Sequence, residues 1–388
     1  AYFLRQQGYP VTVFEAQPEA GGMLGIALPE FRLPREVIEN EIRYIQNCGV
    51  DIKYNAPIDA RHTVGDLLQE GYGAVFIAAG AQASKSIGIP GEDENIEGLH
   101  YGLQFLTAVR QGQAPPLKGR AVVIGGGNVA LDTARTALRA GAHDVQVFCL
   151  EPRDEMPAWE KDVGEAIDEG VIINDAWSPK EIKTDNGQVQ GVEFVRCECV
   201  FDDEGCFNPS CDETVSQFVE ADNVLISIGQ AQDMSFLSAD SRLERALWGT
   251  LKIDENTLAT NIPGVFAGGD FTTGPTYVIR AIASGRRAAL AISQYLDGRE
   301  GALTILDEKS PRHLDTGLAL DENADEKSDE KTSGVAEQVK PRIPLVLENP
   351  QKRVTDFREV EQGFASEKEA HYEALRCLRC DLEKEREQ

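Results

Sequence analysis

The residues best suited to chemistry form one short run: Gly125, Gly126, Gly127, Asn128, Val129 and Ala130. This G-x-G-x-x-A pattern follows the apolar run AVVI and opens the amphipathic stretch NVALDTARTAL, so it reads as strand, tight turn and helix. In such a turn the first glycine permits the sharp reversal and the second lets backbone N–H groups approach a pyrophosphate. The third small residue lets helix and strand pack closely. The helix N-terminus adds positive partial charge where phosphates would sit. A second strand, HDVQVFCLE, completes the unit and ends at Glu151. A carboxylate there can accept both ribose hydroxyls of NADH and would repel the 2′-phosphate of NADPH. Arg153 could favour NADPH instead or simply sit on the surface, and Glu151 could be an ordinary loop acid. The lean is towards NADH.

A second set of residues suggests another dinucleotide. Glu15 ends the strand VTVF, where an acid would bind an adenosine ribose. The stretch FAGGD at 266–270 places Asp270 after Gly268 and Gly269, and a helix is expected to begin near Thr276 or Tyr277, with Val278 in its first turn. Asp270 could accept from a ribitol hydroxyl, and the helix N-terminus could stabilise negative charge on a reduced flavin.

The cysteines offer less. Cys197, Cys199, Cys206 and Cys211 form C-x-C-x6-C-x4-C, which could bind zinc or a cluster but matches no standard site; alternation alone would put Cys197 and Cys199 on one strand face. Cys48 and Cys149 are expected to be buried and inert. Cys377 and Cys380 form a C-x-x-C pair, half of the usual four ligands, so they either share a metal centre or are exposed, redox-labile thiols. No C-x-x-C lies in the nicotinamide unit and no C-x4-C beside the flavin strand, which disfavours a thiol–disulfide reductase.

These residues need elements to hold them. The chain has 388 residues, enough for two or three domains, with 41% hydrophobic residues and 36 glycines, as suits an α/β protein with many tight turns. Residues 1–16 read as a helix end, a turn and a strand, and 72–80 as a buried strand. Short alternating strands with DNG and DDEG turns fill 182–228, and a strand, Gly-rich turn and long helix fill 262–295. The charge run DENADEKSDEK at 321–331 reads as a solvated linker before a helical end. A net charge of −27 argues against nucleic acid or an anionic membrane surface as partner. No apolar run is long enough to span a bilayer. Eight cysteines are too few and too uneven for a disulfide scaffold, so a reducing compartment, the cytoplasm, is expected.

Taken together, EAQPEAGGMLGIALPEFRLPREVIENEI, FIAAGAQASKSIGIPGED, IGGGNVALDTARTALRAGA, RDEMPAWEKD, ISIGQAQD and GVFAGGDFTTGPTYVIRAIASGRRAA span residues 1 to about 300. In this order they resemble the FAD-dependent pyridine-nucleotide oxidoreductases of the glutamate synthase small-subunit group. The resemblance implies that Glu15, Gly21, Gly22, Met23 and Leu24 lie along FAD, that Ala79 and Gly80 close over it, and that Gly269 and Asp270 hold its pyrophosphate and ribitol. It implies that Gly125–Ala130 and Glu151 bind the nicotinamide dinucleotide, with Gly229 at the domain junction. NADPH-using relatives tend to carry arginines where this chain has Leu150 and Glu151, which again favours NADH. The family's first G-x-G-x-x-G should lie just upstream of Ala1, so an incomplete FAD phosphate site and an N-terminally truncated chain are expected. The Cys377–Cys380 stretch resembles a segment that in relatives belongs to an iron–sulfur module, which implies a cluster shared with other cysteines.

The expected architecture is α/β: two doubly wound dinucleotide-binding domains, the nicotinamide domain (113–245) inserted in a discontinuous FAD domain (1–112 and 246–302), then a linker and helical tail (303–388). The expected activity is hydride transfer between NADH, or NADPH, and FAD. Onward electron transfer would go to iron–sulfur or other redox subunits of a hetero-oligomer. No side chain is assigned as catalytic, because hydride passes directly between the two rings. Two alternatives stand: the small subunit of a glutamate synthase, and a non-catalytic scaffold that keeps the flavoprotein fold inside a redox complex.

Overall fold

The computed structural model describes residues 1–93, 95–114, 116–202, 204–237, 242–246, 249–298 and 343–377, the side chains of 374–377 excepted. Two units result. One comprises Ala1–Gly301 and Glu348–Val360, the other Ala302–Leu347 and Glu361–Gln388. The linker run 321–331, Cys380 and the side chain of Cys377 lie outside the described residues.

The first unit opens with α1 (Tyr2–Gln6), β1 (Thr12–Phe14), α2 (Met23–Ile26), α3 (Arg35–Asn47), β2 (Asp51–Lys53), α4 (Val64–Gln69), β3 (Val75–Ile77) and β4 (Ala83–Ser84). β1 pairs in parallel with β2, across the α3 connection. The α4 start is set by its sequence: Thr63 and Asp66 close a reciprocal capping box that satisfies two amides the helix leaves open.

The nicotinamide half follows, with β5 (Leu99–Tyr101), α5 (Gly102–Arg110), β6 (Arg120–Ile124), α6 (Asn128–Arg139), β7 (Asp144–Phe148), α7 (Glu160–Asp168) and β8 (Ile172–Asn174). A long antiparallel sheet, β9 (Trp177–Asp185), β10 (Gln188–Phe201) and β11 (Phe207–Glu220), precedes β12 (Asn223–Ile226) and β13 (Gln230–Ala231). The parallel sheet runs β5-β12-β6-β7-β8. Its central strands are apolar on both faces because both are covered. On one face Val123, Val145, Val147 and Leu225 pack against Leu131, Ala134 and Ala137 of α6. On the other, Val122, Ile124 and Phe148 meet Ile182, Val192 and Phe194 of the antiparallel sheet, with the Phe148 and Phe194 rings stacked 4.0 Å apart. Each fully buried aliphatic or aromatic side chain here contributes about 1.5–3 kcal/mol.

Two expectations shift. The strands expected to be short are long, 14 residues each in β10 and β11, because register shifts carry the pairing past points where strict alternation breaks. The nicotinamide sheet also begins earlier than residue 113, since β5 at 99–101 pairs in parallel with β12. At the other end Met234, Phe236, Leu237 and Leu243 pack with Ile77 and Val265 of the flavin half, so its core reclaims the chain before 246.

The flavin half closes with β14 (Val265–Ala267), α8 (Asp270–Thr273) and α9 (Val278–Leu296). β14 pairs in parallel with β3, and β13 with β4 at the junction of the halves. In the second unit β15 (Val346–Leu347) pairs with β16 (Glu361–Gly363); α10 (Pro350–Arg353) belongs to the first unit and α11 (Glu367–Cys377) to the second.

Candidate functional site

The turn between β6 and α6 is built as the spacing predicts. Gly125 has φ +140°, and its amide donates to the Phe148 carbonyl of the neighbouring strand at 2.8 Å. A Cβ there would lie 2.3 Å from the Ser227 carbonyl oxygen, so only glycine lets β6 and the end of β12 come this close. At Gly127, the N-cap of α6, a Cβ would meet no atom within 4 Å. That open space lies beside the Asn128 and Val129 amides at the start of α6, which have no intrahelical partner, whereas Ala130 and Leu131 donate to the Gly127 carbonyl. A pyrophosphate therefore fits here. Ala130 is fully buried against the sheet, as the close-packing role requires.

Asn128 is not free to face a cofactor with its side-chain oxygen. Asn128 Oδ1 accepts from the Trp159 amide at 2.9 Å and the Gly126 carbonyl accepts from Ala158 at 3.1 Å, so the 158–159 loop is tied over the turn. Glu151, half-buried, lies against the turn: a Cβ on Gly126 would come within 2.6 Å of its Oε2. Arg153 is exposed and donates to Met156 Sδ at 3.8 Å.

On the flavin side, Glu15 follows β1 and its Oε1 accepts from the Gln17 amide at 2.9 Å. Gly21 and Gly22 lead into α2. Gly22 is exposed with open space at its Cβ position, as is also found at Gly80. Met23 is half-buried and packs with Ile26 on Leu103 and Leu106, while Leu24 and Ala79 are also partly buried. Gly269 caps α8 and its amide donates to Ser284 Oγ at 2.9 Å. Asp270 Oδ1 accepts from the Thr276 amide at 3.1 Å and its hydroxyl at 2.7 Å, fixing the loop that enters α9. The first turn of α9 is exposed, Val278 at 49%, on a helix of 19 residues. Open glycine backbone beside an uncovered helix start is the cradle an anionic dinucleotide fits.

The two half-sites meet. Trp159 and Tyr277 contact edge to face, with centroids 6.0 Å apart. The Gly229 carbonyl accepts from the Lys85 amide at 3.2 Å, tying the end of β12 to the flavin half. RDEMPAW includes Trp159 but marks only a loop, and no local motif signals either contact.

The cysteines behave differently from their spacing. Cys197 is buried and Cys199 exposed, because a register shift between them breaks the alternation that would give them one face. Burial first, then neighbouring Cys211, pushes the Cys197 thiol up to about 11. Burial, together with Glu151 and Asp175, pushes Cys149 up to about 12, in keeping with an inert thiol. Cys48 is half-buried rather than buried, since it caps the solvent-facing end of α3. Among the described residues no cluster of three His, Cys, Asp or Glu side chains is placed to hold a metal ion. No helix among them is long and apolar enough to cross a membrane.

Comparison with known proteins agrees with this geometry. Residues 1–285 match the family described as pyridine nucleotide-disulphide oxidoreductase. The NADP(+)-dependent formate dehydrogenase subunit beta of Moorella thermoacetica is 42% identical over 98% of this chain and 52% of its own length. The glutamate synthase [NADPH] small chain of Escherichia coli is 33% identical over 76% of this chain and 65% of that protein. The chain thus spans about half the length of the formate dehydrogenase relative, 52%. Among solved structures, Mycobacterium tuberculosis FprA in complex with NADPH superposes with a TM-score of 0.65 at 19% identity, over 76% of this chain and 82% of FprA, a likeness of fold.

Proposed function

The chain belongs to the pyridine nucleotide-disulphide oxidoreductase family of FAD- and nicotinamide-dependent enzymes, and from that premise we propose that it moves hydride between NADH and FAD within a larger redox complex. The observation that carries this reading is the Gly125–Ala130 turn, whose Gly127 face is open beside the α6 amides. Those amides bind the nicotinamide dinucleotide's pyrophosphate, and Glu151 accepts from its ribose.

FAD, when bound, supplies a two-electron acceptor that can release electrons singly. The residues that hold it are Glu15 at the adenosine ribose, Gly21, Gly22, Met23, Leu24, Ala79 and Gly80 along its length, and Gly269 and Asp270 at the pyrophosphate and ribitol. Thr276, Tyr277 and Val278 present the α9 N-terminus to it, and Gly229 stands at the junction. No side chain need move a proton for this step; the protein orients the two rings and keeps them apart from water.

A second reading has its own support. The names of both relatives specify NADP(+) or NADPH, and Arg153 is an exposed cation two residues from Glu151, of the type that pairs with a 2′-phosphate. We favour NADH because Glu151, not Arg153, lies against the turn. Anaerobic mixing of the full-length protein with each dinucleotide tests both readings. Flavin bleaching faster with NADH supports the first, and faster with NADPH the second.

The formate dehydrogenase relative is a subunit of a larger enzyme, which supports a hetero-oligomer here. Cys377 and Cys380 are then proposed to ligate an iron–sulfur cluster completed elsewhere, receiving electrons from the flavin. The runner-up assembly is glutamate synthase; identifying the subunits that co-purify with the protein separates the two.

A further inference from the structure

The segment Pro29–Leu33 joins α2, which carries the flavin-side glycine turn, to α3, yet its side chains engage the nicotinamide half. Phe31 is 1% exposed, with its ring centroid 4.1 Å from the guanidinium carbon of Arg139 and 4.8 Å from that of Arg135. Those arginines stand one turn apart on α6 and share the buried Glu169, at 2.7 Å from Arg135 and 2.6 Å from Arg139. Arg32 pairs with Asp132 of α6, and with Asp162 of α7 at 2.8 Å. Attraction between a cation and a ring is strongest when both are desolvated, as they are here. Behind the segment, Met23 and Ile26 of α2 and Val129, the second residue of α6, pack against one buried cluster of Ala27, Leu103 and Leu106.

Apolar residues would fill this interface at lower desolvation cost than buried ions. What fixed charges add is a defined docking angle, because ion pairs and a ring on two guanidinium groups are satisfied in one arrangement. None of these charged groups belongs to the dinucleotide turns. We propose that Phe31 and Arg32 form an interdomain latch that fixes the angle between the two dinucleotide-binding halves and so positions the α6 turn for hydride transfer. Phe31 and Arg32 are positioning residues, and the latch rests on the function proposed above. The same helix that binds the pyrophosphate at its start is held along its length by the flavin half.

The test uses the full-length protein with Phe31→Ala, Phe31→Tyr and Arg32→Lys. Hydrogen exchange of the cofactor-free protein reads the latch itself. Phe31→Ala is expected to raise amide exchange across residues 23–33 by about tenfold while β6 and β7 stay protected. With cofactors bound, the flavin reduction rate at saturating NADH is expected to fall about tenfold with the dinucleotide Kd changed less than about twofold, and the nicotinamide–flavin charge-transfer absorbance to weaken. Phe31→Tyr keeps the ring and restores all three. Arg32→Lys removes the two-pronged pairing with a smaller insult; it is expected to move each readout in the same direction, and decides the matter where Phe31→Ala does not fold. Unchanged exchange across 23–33 overturns the latch. So does faster exchange with a wild-type saturating rate and charge-transfer band, which would make the contacts packing alone. If wild-type flavin is reduced by neither dinucleotide, the functional reading fails, and the exchange result still decides the latch.

Discussion

The pair Gly125→Ala and Gly127→Ala separates folding from binding within one turn. At Gly125 a methyl group meets the Ser227 carbonyl oxygen at 2.3 Å and demands φ near +140° of an L-residue. Backbone strain of about 1–3 kcal/mol adds to an overpacking cost of about 1–3 kcal/mol. At roughly 2–4 °C per kcal/mol for a large domain, Tm should fall by roughly 4–24 °C. At Gly127 the backbone is extended, with φ −93° and ψ 173°, and the methyl group meets nothing within 4 Å. Stability should stay within about 0.5 kcal/mol. The methyl group nevertheless occupies the face that the pyrophosphate needs. Loss of one charge-assisted hydrogen bond, about 1.5–3 kcal/mol, weakens dinucleotide binding by about 10–150-fold. Differential scanning calorimetry reads the first effect and isothermal titration with NADH the second. Wild-type affinity in Gly127→Ala, or a wild-type melting curve in Gly125→Ala, would refute the reasoning.

Further outcomes follow from the same geometry. Glu151→Arg should shift preference from NADH to NADPH by at least about tenfold in the flavin reduction rate, because a cation then faces the 2′-phosphate; an unmoved ratio would remove Glu151 from the ribose site. Glu169→Gln should cost about 3–5 kcal/mol in urea unfolding at neutral pH, since Arg135 and Arg139 lose their shared buried carboxylate. Burial alone would raise the Glu169 pKa, but hydrogen bonds from Arg139 and Arg135 hold it below the ordinary glutamate value. Its stabilisation is therefore complete above about pH 4.5 and lost as pH falls through the lower folded value, so the gap between variant and wild type should close in acid. A gap independent of pH would argue for packing instead. Cys377→Ser with Cys380→Ser in the full complex should remove one iron–sulfur signal from the low-temperature EPR spectrum and leave NADH-to-flavin transfer intact; an unchanged iron content would return the pair to exposed thiols.

How much of this was legible in the sequence depended on how local the signal was. The unit at 120–151 could be read because glycine spacing, a two-sided apolar strand and a helical apolar face coincide within one stretch. The α9 start was legible for the same reason: FAGGD and the helical period adjoin, and Asp270 accepts from Thr276 only six residues away. Bulges leave no mark on alternation, so the pattern alone gives strands shorter than β10 and β11 and puts Cys197 and Cys199 on one face. The LHY strand at 99–101 is too short to show a period, so the sequence pattern alone marks the nicotinamide sheet only from later residues. The contacts of Phe31 and Arg32 were invisible, since their partners at 132, 135, 139 and 162 lie a hundred residues or more away.

The central claim is that this chain's two dinucleotide sites work as one hydride-transfer unit, and the most direct test is anaerobic stopped-flow absorbance of the flavin-loaded, full-length protein. The account predicts that NADH bleaches the oxidised flavin band in a saturable phase, and that Gly127→Ala raises the half-saturating NADH concentration by about 10–150-fold. A flavin that remains oxidised with both NADH and NADPH, in protein that retains its fold and its FAD, would contradict it.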